Sequence, residues 1–308
     1  MAKKVLVATE KPFAAEAVRQ IKAVGEAKGY EIVLLEKYQE HADLVKAVKD
    51  VDAMIVRSDK VTEDVIANGD NLKIVVRAGA GYDNLDLKAA TAKNVVCMNT
   101  PGQNSNAVAE LAFGMMLYMA RNQFMPKAGT ELIGKKIGIH AYGNVGQHVA
   151  RIAKGFNMEV FAFDPYVKPE VMKAEGITPL ANVEELYSTC DYISLHLPKT
   201  EATMKFVNKK LFALMPKGAT LINTARKEVV CEDGLKFVLG ERSDLKYASD
   251  IAPVTAAELK ELYPAQVFFT PKKMGAQTSE ANVNAGVASI TQIINYLEKG
   301  DTTFQVNK

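Results

Sequence analysis

The sequence predicts an α/β fold made of two doubly wound lobes, and three observations predict it. Short apolar runs alternate with segments of helical period, runs such as Ile74-Val75-Val76 are apolar at every position, and the pattern breaks at Thr100-Pro101-Gly102 and restarts after Pro126-Lys127-Ala128-Gly129-Thr130. A strand apolar at every position needs cover on both faces, which a parallel sheet between two helical layers supplies. At 308 residues, 48% hydrophobic and 24% charged, the chain is long enough for two such lobes.

The elements follow in order. In the first lobe the strand-like runs are Lys4 to Ala8, Tyr30 to Leu35, Ala53 to Val56, Leu72 to Arg77 and Val95 to Met98. Helix-period segments lie between them at Ala14 to Lys28, Ala42 to Lys49, Val61 to Ala67 and Leu87 to Lys93. Asn104 to Arg121 is a long helix signal with Val108, Leu111, Ala112, Met115, Met116 and Met119 on one side, read as a bridge between lobes. The second series has strand-like runs at Lys136 to His140, Val160 to Phe163, Tyr192 to His196, Ala219 to Asn223, Lys246 to Ser249 and Val267 to Thr270. The closing helix signal, Ala281 to Lys299, is long enough to return to the first lobe. The expected division is 1–100 with 279–308, and 101–278.

Composition excludes several partners. With 38 Lys+Arg against 36 Asp+Glu, the net charge of +2 gives no global attraction for nucleic acid or an acidic membrane. Cys97, Cys190 and Cys231 lack CxxC spacing, which argues for a reducing compartment, the cytoplasm, with neither a disulfide framework nor a metal site. The apolar run Val5 to Ala8 is too short for a signal-peptide core, and no stretch approaches a membrane span.

The segment Gly138-Ile139-His140-Ala141-Tyr142-Gly143-Asn144-Val145-Gly146 places Ala-x-Gly-x-x-Gly between a strand and a helix. In a dinucleotide turn the second glycine lets backbone approach pyrophosphate and the third lets helix and strand pack closely. Ala141 stands at the first position, where alanine fits if φ stays negative. Asp164 ends the next strand, eighteen residues past Gly146. Its carboxylate can accept both ribose hydroxyls of NAD and would repel the extra phosphate of NADP. Pro165-Tyr166 follow, with no arginine to hold that phosphate. A bare glycine turn would have no use for an acid there, so the combination favours NAD.

With the glycine turn, the motifs Arg77-Ala-Gly-Ala-Gly-Tyr-Asp-Asn-Leu-Asp86, Asn99-Thr-Pro-Gly-Gln-Asn104, His196-Leu-Pro198, Ile222-Asn-Thr-Ala-Arg226 and Thr270-Pro271 resemble the D-2-hydroxyacid dehydrogenases in their family order. Val56-Arg57-Ser58 followed by Val61-Thr62 is most similar to the D-3-phosphoglycerate dehydrogenase branch. The resemblance implies a Rossmann NAD-binding domain inserted into a flavodoxin-like substrate domain, a cleft between them and a homodimer. It implies oxidation of 3-phospho-D-glycerate, the first step of serine biosynthesis. Relatives with an appended regulatory domain are longer, and none is expected after Lys308.

The same resemblance assigns roles. Arg226 would hold the substrate, backbone amides of Gly79 and Ala80 its carboxylate, and Arg57 with Ser58 its phosphate, with Asn104 nearby. The cofactor side would comprise Tyr142, Gly143, Asn144, Val145, Gly146 and Asp164, then His196, Leu197, Pro198, Thr224, Ala225, Arg226, Asp250 and Gly275. The family's acid/base is a histidine in Thr-Pro-His, oriented by a glutamate. Here Thr270-Pro271 is followed by Lys272, and Thr255 stands where the glutamate is expected. Both members of the pair are replaced together, and lysine has no tautomer for a carboxylate to fix. Lys272 is therefore the candidate acid/base: its ammonium can donate a proton to a carbonyl oxygen, and its neutral amine can accept one in oxidation. His140 and His148 read as packing histidines, and His196 as lining the cofactor. Two other readings remain open: a glyoxylate or hydroxypyruvate reductase or other D-2-hydroxyacid dehydrogenase, and an NAD-sensing binding protein that has lost catalysis.

Overall fold

The computed structural model describes residues 2–308, which form two compact units. One runs up to Asn104 and is completed by Gln277–Lys308; the other is Ser105–Ala276. In chain order the first unit contributes β1 (Lys4–Thr9), α1 (Ala15–Glu26), β2 (Glu31–Glu36), α2 (His41–Ala47), β3 (Ala53–Val56), α3 (Glu63–Asn68), β4 (Ile74–Arg77), α4 (Leu87–Ala92) and β5 (Val96–Asn99). The second contributes α5 (Ser105–Ala120), β6 (Lys136–His140), α6 (Asn144–Gly155), β7 (Glu159–Phe163), α7 (Pro169–Ala174), β8 (Thr178–Pro179), α8 (Val183–Thr189) and β9 (Tyr192–Leu195). It continues with α9 (Lys209–Leu214), β10 (Thr220–Asn223), α10 (Glu232–Glu241), β11 (Lys246–Ser249), α11 (Ala256–Leu262) and β12 (Val267–Phe269). Helix α12 (Ser279–Lys299) then returns to the first unit.

The first unit holds a five-stranded parallel sheet in the order β2-β1-β3-β4-β5. Strand side chains alternate between faces. Leu6, Met54, Val56, Val75 and Cys97 pack with Leu44, Val65, Ile66 and Ala90 from α2, α3 and α4. Val5, Val7, Ile55, Ile74 and Val76 pack with Ala17 and Ile21 of α1 and Ile290, Ile293 and Ile294 of α12. Both faces are dry, which is why these strands have no polar alternation. Each fully buried Val, Leu or Ile contributes about 1.5–3 kcal/mol.

The second unit is a seven-stranded parallel sheet, β12-β11-β10-β9-β6-β7-β8. Ile137, Ile139, Ala162, Ile222 and Ala248 face α5 and α6, whereas Ile193, Leu195, Leu221 and Phe269 face the layer of α8, α9 and α10. The fold class is thus the expected one, and the bounds of the expected strands agree within one or two residues, while the two-residue edge strand β8 was not among them. Helix α5 departs in its face: Ala109, Phe113 and Ala120 are buried, while Val108 and Leu111 are half-buried. It is apolar on nearly every side, so its period could not single out one face. Among the described residues no helix is long and apolar enough to cross a membrane, and no cluster of His, Cys, Asp and Glu could hold a metal.

Candidate active site

In the seven-stranded sheet the winding reverses between β6 and β9, and open α/β sheets bind ligands at the carboxyl ends of strands beside such a reversal. β6 ends at His140, and α6 begins at Asn144 with Gly143 as its N-cap and no side-chain cap. The amides of Asn144, Val145 and Gly146 therefore have no intrahelical acceptor, and the positive end of the helix dipole lies with them. A Cβ on Gly146 would come 2.5 Å from the Ala141 carbonyl oxygen, whereas one on Gly143 would meet nothing within 4 Å. The third glycine is thus needed for packing, and the second faces open space where a pyrophosphate can approach.

Two details of the turn differ from expectation or go beyond it. Ala141 has φ +80°, not the negative value that alanine prefers, and is held there by its amide donating to the Phe163 carbonyl at 2.9 Å. The turn geometry wins over the alanine's own preference, at about 1–2 kcal/mol. Asp164 accepts the Tyr142 amide on Oδ2 and the Tyr166 amide on Oδ1, both at 2.8 Å. It fixes the turn to the end of β7, and each oxygen keeps a lone pair for a ribose hydroxyl. The Tyr142 side chain is wholly buried and donates to Glu175 at 2.7 Å, so only its main chain lines the turn. An open second glycine, a packed third glycine, unpaired helix amides and an anchored acid fit NAD.

At the end of β9, His196 Nε2 lies 2.9 Å from the Ser194 hydroxyl and Nδ1 lies 3.4 Å from that of Thr224. Burial pushes its imidazole down to about 3, and His140, 2% exposed and beside the Tyr187 hydroxyl, down to about 4. Both are neutral near pH 7. Leu197 packs against the core and Pro198 is exposed.

Arg226 is half-buried just past β10, with Nη1 donating to the Ala225 carbonyl at 3.0 Å. Its loop is shaped by Asn223, a residue that sequence reasoning passed over. The Asn223 side chain, 1% exposed, accepts from the Ala225 amide and donates to the Arg226 carbonyl. Lys227–Val229 then form a 3-10 turn, with Glu228 paired to Lys199 at 2.9 Å.

Beyond β12 the chain turns through 270–275. Lys272 is exposed, and among the described residues its side chain makes no hydrogen bond or ion pair. Asp250, expected beside the nicotinamide, is 1% exposed and accepts from the Thr270 hydroxyl and the amides of Met274 and Gly275. Thr255 donates its hydroxyl and amide to Glu232 at the start of α10. The only signal for Asp250, Asn223 and Glu232 as loop organisers was a polar residue beside an apolar strand or helix, which many sites share.

In the first unit, Arg57 is half-buried past β3. Its Nη1 donates to the carbonyls of Lys11 and Pro12, and its guanidinium lies 5.2 Å from the centre of the Phe13 ring. Ser58 is exposed. Asp59, another residue passed over, is 3% exposed and accepts from the Glu10 amide, the Tyr38 hydroxyl and the Arg57 amide. Past β4, Gly79 has φ +145°, and a Cβ there would overlap the Arg77 guanidinium. The amides of Gly79 and Ala80 make no hydrogen bond among the described residues. Asn104 is half-buried at the end of the first segment of this unit.

Comparison with known proteins agrees with this architecture. Residues 107–271 match the family model of the D-isomer specific 2-hydroxyacid dehydrogenase, NAD binding domain. D-3-phosphoglycerate dehydrogenase of Methanocaldococcus jannaschii is 35% identical over 82% of this chain and 51% of its own length. Hydroxypyruvate reductase of Thermotoga maritima is also 35% identical, over 87% of this chain and 92% of its own. The chain spans about half the length of several phosphoglycerate dehydrogenase relatives. Among solved structures, NAD+-bound 3-phosphoglycerate dehydrogenase from Entamoeba histolytica superposes with TM-score 0.93 at 43% identity, covering 100% of this chain and 99% of that one. This chain belongs to the D-isomer specific 2-hydroxyacid dehydrogenases and carries their NAD-binding domain.

Proposed function

We propose that the protein oxidises 3-phospho-D-glycerate to 3-phosphohydroxypyruvate, with Lys272 as acid/base and Arg226 holding the substrate. When bound, NAD supplies the acceptor for the hydride leaving C2. The protein's own groups do the rest. Arg226 offers its guanidinium to the carboxylate and to the developing carbonyl oxygen. The amides of Gly79 and Ala80 meet the carboxylate. Lys272, as the neutral amine, takes the hydroxyl proton, and returns it as the ammonium in reduction. Arg57 is the cation for the phosphate.

The observation that carries this reading is Lys272: an exposed amine without a partner among the described residues, held by its backbone at the carboxyl edge of the sheet that bears the dinucleotide turn. A second reading, reduction of hydroxypyruvate, is favoured by Arg57, which already donates to two carbonyls. NADH consumption with phosphohydroxypyruvate and with hydroxypyruvate tests both. Preference for the phosphorylated acid supports the first reading, and equal rates support the second. Intact NADH binding without turnover on either acid overturns both.

A further inference from the structure

We propose that Glu175, which lies outside the dinucleotide turn, is a positioning residue for NAD, acting on that turn through the Tyr142 hydroxyl.

The main chain of the turn is tied to one side. The Ala141 amide donates to the Phe163 carbonyl at 2.9 Å, and the Tyr142 amide donates to Asp164 Oδ2 at 2.8 Å, so both ties run to the end of β7. The Tyr142 side chain supplies a tie in another direction. Its ring is wholly buried in the cluster that holds Val149 and Ala153 of α6 and Met172 of α7. Its hydroxyl donates to Glu175 Oε2 at 2.7 Å. Burial, and then this bond to the carboxylate, push the hydroxyl above its ordinary range, so it keeps its proton and acts as the donor. The acceptor is anchored in turn. Glu175 lies just past α7, with its amide donating to the Met172 carbonyl at 3.1 Å, and its own carbonyl accepts from Lys154 of α6. The restraint therefore passes from β7 through Asp164, Tyr142 and Glu175 to α6, the helix whose first amides face the pyrophosphate.

Packing alone does not call for the hydroxyl. A phenylalanine would fill the same apolar space, and a buried hydroxyl carries a desolvation cost that only its hydrogen bond offsets. What the hydroxyl adds is direction. Ala141 holds φ +80°, a conformation that an untied alanine would leave. A turn already held in its binding shape avoids the ordering cost at the moment of association, which appears as affinity. Glu175 meets the far end of the side chain, whereas the cofactor approaches the main chain at Gly143 and beyond, so its action on NAD passes through Tyr142.

Fluorescence titration of NADH, with competition by ADP-ribose, tests this in Tyr142→Phe, Glu175→Leu, Glu175→Gln and the Phe/Leu double variant. Tyr142→Phe and Glu175→Leu should each raise both dissociation constants by about 3–10-fold, because both ligands carry the pyrophosphate. Glu175→Gln, whose carboxamide oxygen still accepts the hydroxyl, should stay within about twofold of the parent. The double variant should bind no more weakly than the worse single one, since each change removes the same bond. Dissociation constants within about twofold of the parent in either Tyr142→Phe or Glu175→Leu overturn the proposal even if the variants melt earlier, because the tie then serves stability alone. So does Glu175→Gln binding as weakly as Glu175→Leu, a double variant whose loss is the product of the two, or a loss confined to NADH. Glu175 is exposed, so the Leu and Gln variants carry the test if Tyr142→Phe does not fold.

Discussion

Asp59 in the first unit and Asp250 in the second are the same device put to different ends. Each is a buried aspartate at the carboxyl edge of a parallel sheet, and each gathers two backbone amides and one hydroxyl. Around Asp59 the neighbouring cation joins the latch: the Arg57 side chain donates to Lys11 and Pro12 while its amide donates to Asp59. Around Asp250 the neighbouring cation stays outside: Lys272 contributes only its carbonyl. One edge uses its cation partly as a strut, and the other engages only the backbone of its cation among the described residues. Charge at a sheet edge therefore says little about chemistry until its partners are known.

The contrast is sharpest in Lys272→Ala and Arg57→Ala. The lysine change should cut turnover by about 10²–10⁴-fold with NADH binding retained, the range of a lost general acid/base. Steady-state rates and fluorescence titration of NADH check it, and near-normal turnover breaks the comparison. Arg57→Ala should instead reduce the preference for phosphohydroxypyruvate over hydroxypyruvate and also lower stability, because it removes a strut.

A stability measurement tests the other half. Asp59→Ala leaves the buried Tyr38 hydroxyl and the partly buried amides of Glu10 and Arg57 without their acceptor, and a stranded buried donor costs about 1–3 kcal/mol. With partial rescue by water, a loss of about 2–4 kcal/mol is expected in urea unfolding. A loss below about 1 kcal/mol would show that the latch is not structural.

Acid should also distinguish the units. The second holds His140 neutral and 2% exposed, lowered by burial to about 4 from an ordinary 6.5, whereas His41 of the first unit is exposed. The unfolded chain binds this proton first as pH falls, so the stability from neutral His140 is complete above about 6.5 and is lost between there and about 4. The slope approaches about 1.4 kcal/mol per pH unit. His140 is ringed by Phe163, Tyr187 and Phe206, so His140→Phe fits the chemistry of the site. Thermal melts from pH 7 to 4 should show a shallower decline for His140→Phe; parallel declines break the claim.

How much of this was legible in the sequence depends on the range of the interaction. Strands such as Ala53–Val56 and Lys136–His140 were readable because burial on both faces writes itself into consecutive residues. The dinucleotide turn was readable because a glycine pattern and an acid at the next strand end are fixed by local geometry. Asp250 was singled out only as a cofactor-side residue and Asp59 not at all, and the latches they form were not readable, because their donors arrive from 24 and 49 residues away in Met274 and Glu10, and no local pattern encodes such a meeting. Arg57 was visible as a cation, but the carbonyls of Lys11 and Pro12 that engage it were not.

Ala141 is where local reading met a tertiary demand and lost. Its φ of +80° is costly for any residue with a Cβ, yet β6, α6 and the tie from Asp164 to Tyr142 hold the turn in that shape. Ala141→Gly removes the strain but also frees the unfolded chain, which costs about 0.5–1 kcal/mol. Set against about 1–2 kcal/mol of relieved strain, the net should be a stabilisation of about 0–1.5 kcal/mol. Gly146 offers the opposite control, since a methyl there would press on the Ala141 carbonyl at 2.5 Å and should destabilise. Urea unfolding of Ala141→Gly and Gly146→Ala therefore reads the turn from both sides. If Ala141→Gly destabilises, the alanine methyl must contribute packing that outweighs its strain, and the positive φ ceases to be a cost of binding the dinucleotide.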